Sequence, residues 1–200
     1  MTLQFDDAYY RRFYKDPSTR VYDQKRHAHL ISGVVGLIEW FGVDLIDVLD
    51  VGAGLGWWGQ WLAKNRKGAK VISTELDREI CRKYGHQQAD ISTFCLEKQF
   101  ELVICQGVLP YISDATGASA AIENLASMCG GFLYLEAITK DDMKDAIDAH
   151  RTDLRVELRP AAWYRKRLLP HFREVGGGLY AARRANLPFF ALEAPRDTRR

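Results

Sequence analysis

Cysteine is scarce in this chain, and the four that occur, Cys81, Cys95, Cys105 and Cys129, are scattered among 200 residues. None forms a Cys-x-x-Cys pair or stands near a histidine at metal-ligand spacing. That excludes a disulfide framework and a zinc site, so buried, reduced thiols and no metal are expected. No apolar run reaches the roughly 18 residues of a membrane helix, and no membrane partner is expected. The polar opening Met1-Thr2-Leu3-Gln4-Phe5-Asp6-Asp7 is unlike a signal peptide, which points to the cytoplasm. Charge of one sign is also lacking: the net balance is only +2, which argues against nucleic acid as a partner. There is no internal repeat, low-complexity tract or long linker. A hydrophobic content of 47% suits one globular domain over residues 1–200.

What the chain does have is alternation. Residues 28–41 carry Leu30, Ile31, Val34, Val35, Leu37, Ile38 and Phe41 at helical spacing, closed by Gly42. Strands are expected over 47–51, 70–74, 86–89, 100–105 and 131–136, with helices over 55–65, 78–84 and 115–128 between them. Such alternation implies a doubly wound, mostly parallel α/β sheet with helices on both faces. After a charged stretch, 139–158, a helix opens at Pro160 and runs through Trp163, Tyr164, Leu168 and Leu169. The runs 172–183 and 188–193, joined by the turn-prone Arg184-Ala185-Asn186-Leu187, read as an antiparallel hairpin because so short a connection cannot cross over.

The most informative segment is Val48-Leu49-Asp50-Val51-Gly52-Ala53-Gly54-Leu55-Gly56-Trp57-Trp58-Gly59, a strand running into a glycine-rich turn and a helix. Glycine lets the backbone turn sharply and approach a ligand, and the helix start offers free N–H groups, so a nucleotide is expected there. Two nucleotides compete. Gly54-Leu55-Gly56-Trp57-Trp58-Gly59, with Glu75 about 20 residues on, matches the dinucleotide pattern of NAD enzymes. In the register that begins at Gly52, however, Trp57 takes the place of the third glycine, and the chain has no room for a further substrate domain.

The sequence resembles the class I S-adenosylmethionine-dependent methyltransferases, with a Rossmann-like fold. Asp50-Val51-Gly52-Ala53-Gly54-Leu55-Gly56 matches that family's acid-x-Gly-x-Gly-x-Gly motif. Glu75 at the end of the second strand matches its ribose acid, with Leu76 beside the adenine. Asp90 after the third strand matches the acceptor of the adenine amino group, with Ile91 against the ring. The run from Phe100 through Gln106, Gly107, Val108, Leu109 and Pro110 to Ile112 resembles the fourth-strand motif that floors the methionine end, with Tyr111 beside it. The resemblance covers residues 47–136 and implies a seven-stranded sheet ending in an antiparallel hairpin. It also implies S-adenosyl-L-methionine as cofactor, S-adenosyl-L-homocysteine as product, and in-line methyl transfer to a small molecule.

The implied division is 1–42 as a helical lid and substrate segment, 43–138 as the cofactor core, 139–194 as the substrate side with the hairpin, and 195–200 as a tail. Plainer roles stand beside several of these residues. Asp90 also suits a cap for residues 91–96, Trp57 and Trp58 suit a core, and Asp50 suits orienting the loop. If the acceptor needs a general base, the candidates are Tyr14, His27, His29 and His150, since Pro110 stands where many small-molecule relatives place a histidine. Tyr14 and His29 are expected near the methionine end. Basic residues in 9–27 and 151–184, Arg20 and Arg165 among them, suggest an acceptor carrying carboxylate or phosphate. Tyr9, Tyr10, Phe13, Tyr14 and Tyr22 among them leave RNA a minor alternative, as are a protein acceptor and a cofactor-binding protein without turnover.

Overall fold

Strand β1 (Asp47–Val51) sends successive side chains to opposite faces of the sheet, and both faces are covered. Val48 packs with Ile31, Val35, Ile38 and Leu62 on one side, while Leu49 packs with Ile122, Leu125 and Leu168 on the other. The same split holds for Leu102 and Ile104 against Val103 and Cys105 in the fourth strand. Burial on both faces is the reason these strands read as continuous apolar runs.

The computed structural model describes residues 5–144, 147–148 and 150–187. A short helix α1 (Asp7–Tyr10) continues as a wide π-helical turn, Arg11–Lys15, and is followed by α2 (Gln24–Trp40). After β1 come α3 (Trp57–Asn65), β2 (Lys70–Glu75), α4 (Arg78–Tyr84), β3 (Gln87–Gln88) and β4 (Phe100–Gln106). The chain continues with α5 (Ala115–Met128), β5 (Cys129–Glu136), α6 (Ala161–Leu168), β6 (Phe172–Gly176) and β7 (Leu179–Ala182). The strands form one seven-stranded sheet in the order β3-β2-β1-β4-β5-β7-β6. All pairings among the first five strands are parallel, and β7 runs antiparallel to both β5 and β6.

Two expectations shift. Helix α2, expected over 28–41, begins at Gln24 because the Asp23 carboxylate caps it, accepting from Arg26 N at 2.8 Å. Leu37 of its expected apolar face is 38% exposed. The antiparallel hairpin lies wholly within the first of the two C-terminal runs, turning at Gly177 and Gly178 and not at 184–187. Positive φ at 176, 177 and 178 (120°, 60° and 85°) is backbone that glycine alone adopts cheaply. The run 188–193 lies outside the described residues.

Helix α4 is held open at its start by Asp77, whose Oδ1 accepts from Glu79 N (2.9 Å) and Ile80 N (3.0 Å). Asp77→Ala is expected to cost about 1 kcal/mol, lowering Tm by about 2–4 °C. Thermal unfolding followed by circular dichroism would read this, and an unchanged Tm would show that the cap contributes nothing.

Candidate functional site

The strand order reverses between β1 and β4, so the chain leaves their carboxyl ends in opposite directions and opens a crevice there. A cavity of about 400 Å³ fills that crevice, a size ordinary for small-molecule sites. It crosses the ends of four strands in turn, from Gln106 of β4 past Val51 of β1 and Glu75 of β2 to Asp90 beyond β3.

The glycine loop forms its floor. Gly52, Gly54 and Gly56 all have positive φ (68°, 54° and 71°). A Cβ on Gly52 would stand 2.3 Å from Val108 Cγ2, and one on Gly54 3.0 Å from Tyr10 Cε1. Only glycine therefore lets the loop slide beneath Val108. Gly56 instead caps α3 and packs toward His86, away from the cavity wall.

Two acids lie under this loop. Glu75 is 6% exposed; its Oε2 accepts from Gly54 N at 3.0 Å and from the Tyr10 hydroxyl at 3.4 Å, and its Oε1 accepts from Leu76 N at 2.7 Å. A carboxylate offers about four acceptor positions, so Glu75 has one left and one long contact it can exchange. Asp50 is 2% exposed and its Oδ2 has no partner among the described residues. Burial, with the charge of Glu75 added, pushes its carboxyl up to about 7. An orphaned buried oxygen beside a backbone cradle suits a ligand that brings donors or positive charge.

At the far end Asp90 lines the cavity and also caps a turn, its Oδ1 accepting from Ser92 N (2.9 Å) and Ser92 Oγ (2.7 Å). Leu76 and Ile91 flank this end. At the near end Gln106 is a junction. Its Oε1 accepts the Trp58 indole N–H at 2.9 Å and lies 2.8 Å from His27 Nε2. Its amide nitrogen donates to the Tyr22 hydroxyl (3.2 Å) and to Glu136 Oε2 (3.1 Å).

Of the residues singled out from the sequence, Asp50, Gly52, Ala53, Gly54, Glu75, Leu76, Asp90, Ile91, Gln106, Gly107, Val108 and Tyr111 all line this cavity, and Gly56 does not. The base candidates divide. Tyr14 and His27 are on the wall; His29 is exposed on the outer side of α2, and His150 is exposed at a separate depression beside Arg11 and Arg12. A helix turns about 100° per residue, so His27 and His29 face nearly opposite ways. Burial holds the His27 imidazole below its ordinary range, against the hydrogen bond to Gln106, and the ring is neutral. Trp58 is buried at 3% exposure and Trp57 half-buried, and both line the cavity.

Among the described residues neither Lys nor Arg lines the cavity. Arg20 pairs with Asp23, and Arg165 is exposed on α6. Arg159, buried, donates to the carbonyls of Ile112 (2.6 Å) and Ser113 (3.1 Å), and Arg167, Arg183 and Arg184 likewise donate to protein acceptors. Sequence reasoning missed Tyr10 as the partner of Glu75 and missed Asp153, which accepts from Tyr111. These contacts span 65 and 42 residues, and no local pattern encodes them. Among the described residues no cluster of three or more His, Cys, Asp or Glu could hold a metal, and no helix is long and apolar enough to cross a membrane.

The structure is similar to CalS10, an amino pentose methyltransferase from Micromonospora echinaspora solved with S-adenosylmethionine. The TM-score is 0.63 at 16% identity, covering 92% of this chain and 98% of that one. It is also similar to the sugar N-methyltransferase KedS8 from a Streptoalloteichus species (TM-score 0.62, 18% identity, 90% and 92% covered). A third likeness is to DesVI of Streptomyces venezuelae (TM-score 0.60, 15% identity, 78% and 90% covered). No curated protein matches the chain by sequence. A family model described as a methyltransferase domain matches residues 10–178, spanning the glycine loop, both acids and the sheet through Gly178. The chain therefore belongs to the methyltransferase domain family, as an S-adenosylmethionine-dependent enzyme of the Rossmann-like class I.

Proposed function

We propose that this enzyme methylates a small molecule held between the cofactor and the aromatic N-terminal segment, residues 5–27. One observation carries the reading: Tyr9, Tyr10, Tyr14 and Tyr22 fold over the same cavity that the glycine loop, Glu75 and Asp90 line from below. The likeness to sugar methyltransferases agrees with it. In this reading Glu75 holds the ribose hydroxyls, Asp90 the adenine amino group, and Leu76 and Ile91 the faces of the ring. The loop from Gly52 to Gly54, with Gln106, Gly107, Val108 and Tyr111, cradles the methionine end.

The bound cofactor supplies a methyl group already activated on a sulfonium. What remains for the protein is alignment and the exclusion of water. Residues 5–27 do both, as the lid and substrate segment, together with the charged stretch after β5. Arg159 ties that stretch to the loop after β4. The basic residues that suggested a carboxylate or phosphate on the acceptor are engaged elsewhere or lie off the cavity wall, so such a charge is not part of this reading.

Calorimetric titration with S-adenosylmethionine, S-adenosylhomocysteine and NAD, followed by a metabolite screen with labelled methyl donor, tests it. Binding of the first two and not NAD is expected, with label entering compounds of low molecular mass. Label entering only RNA or protein, or no label at all despite binding, would overturn the small-molecule reading.

A further inference from the structure

Asp50 stands near the end of β1, two residues before Gly52, and it lines the cavity although almost none of it meets solvent. Its neighbours in the sheet, Ser73 of β2 and Ile104 of β4, bring no charge. Glu75 beneath the same loop has three donors, Gly54 N, Leu76 N and the Tyr10 hydroxyl, whereas Oδ2 of Asp50 has none among the described residues. A buried acid with a bare oxygen and a second acid nearby keeps its proton. Burial first, and the Glu75 charge second, push the Asp50 carboxyl up to about 7.

A positive charge nearby would reverse this, and among the described residues no Lys or Arg supplies one from the wall. His27 of α2 is neutral, and Cys105 of β4 is a thiol that burial and the Asp50 charge push up to about 12. The phenols of Tyr10, Tyr14 and Tyr22, over the cavity, are pushed up by burial and stay neutral. Asp90 and Asp114 can add only negative charge to the wall. A cation that ionises Asp50 must therefore arrive with the ligand.

The two cofactor forms differ in this respect. S-adenosylmethionine carries a sulfonium and S-adenosylhomocysteine a neutral thioether, while the ammonium and carboxylate of the methionine end are common to both. In a site that excludes water, one positive charge favours a nearby carboxylate over its acid by about tenfold or more.

We propose that Asp50 discriminates the sulfonium cofactor from its thioether product, giving up its proton beneath the first and keeping it beneath the second. This rests on the cofactor placement above, with the methionine end on the loop from Gly52 to Gly54, and on no particular acceptor. As the cofactor docks, the Asp50 proton leaves to solvent and the carboxylate faces the positive charge. When the methyl carbon bonds to the acceptor, the C–S electron pair stays on sulfur and the positive charge there is gone. Asp50 then takes a proton back from solvent, and the product lacks the attraction that held the cofactor.

Calorimetry on the full chain tests this without turnover, using S-adenosylmethionine, S-adenosylhomocysteine and sinefungin, which carries an ammonium in place of the sulfonium. From pH 6 to pH 8 the affinity of each charged ligand is expected to rise about five- to tenfold, while that of S-adenosylhomocysteine changes by less than about twofold. Titrations at pH 6.5 in buffers of different ionisation enthalpy should count about half a proton or more released per charged ligand, and almost none for the product. Asp50→Asn, checked for folding by circular dichroism, should lose both the slope and the proton release. If that variant does not fold, the wild-type series decides alone. Equal slopes for charged ligands and product, no proton release with the charged ligands, or an unchanged slope in folded Asp50→Asn would each overturn the proposal. If neither cofactor nor product binds at any pH, the functional reading itself is overturned, and the proposal with it.

Discussion

Replacing Glu75 with Gln is expected to weaken S-adenosylhomocysteine binding by about 30- to 150-fold, or about 2–3 kcal/mol. Both oxygens of this carboxylate accept backbone N–H groups, Gly54 on one and Leu76 on the other. Glutamine has one acceptor oxygen, so its NH2 must oppose one of those N–H groups. Either the loop shifts or Leu76 loses its anchor. The charge that would strengthen hydrogen bonds to ribose hydroxyls in the proposed role is lost in both cases. Calorimetry on wild type and variant reads the affinity, and circular dichroism confirms that the variant is folded. Equal affinities in two folded proteins would show that Glu75 does not contact the cofactor.

The second large effect concerns Asp50. Its carboxyl is pushed from 3.8 up to about 7 by burial first and by the charge of Glu75 second. A raised carboxyl means that the folded state holds its proton more tightly than the unfolded chain does. The resulting stabilisation is therefore present at low pH and lost as pH rises from the unfolded value toward the folded one. Between pH 5 and pH 8 this amounts to about 2–3 kcal/mol. Asp50→Asn cannot titrate and lacks this slope. The variant should gain on wild type by that amount between the two pH values, as read by urea unfolding at each. His27, whose shift comes from burial and Gln106 and not from Asp50, contributes the same slope to both proteins and cancels. A constant difference would show that Asp50 ionises as a solvated carboxylate does.

Much of the architecture was legible because it depends on neighbours along the chain. Strand β1 and its glycine loop, helix α4 between Asp77 and Gly85, and helix α5 after Asp114 all carry their stop and start signals within a few residues. The C-terminal hairpin was misplaced although Gly176, Gly177 and Gly178 marked its turn, because alternating side chains on both sides of them read as one continuous strand. The histidines were sorted by helix phase. His27 and His29 are equivalent in composition and spacing from the loop, yet the docking of α2 through Ile31, Val35 and Ile38 turns one inward and the other to solvent.

By itself the sequence determined where the backbone turns left-handed at Gly52, Gly54 and Gly56, and where acids follow successive strands. Those features set the fold and the place of the crevice, since local sterics and burial on both sheet faces leave few alternatives. Only the tertiary structure decided that Tyr10 closes on Glu75, that Gln106 joins Trp58 to His27, and that Tyr111 joins Tyr9 to Asp153. Such contacts depend on which helices and loops pack over one crevice. Packing couples residues that are 40 and more positions apart, through interactions that no single segment carries.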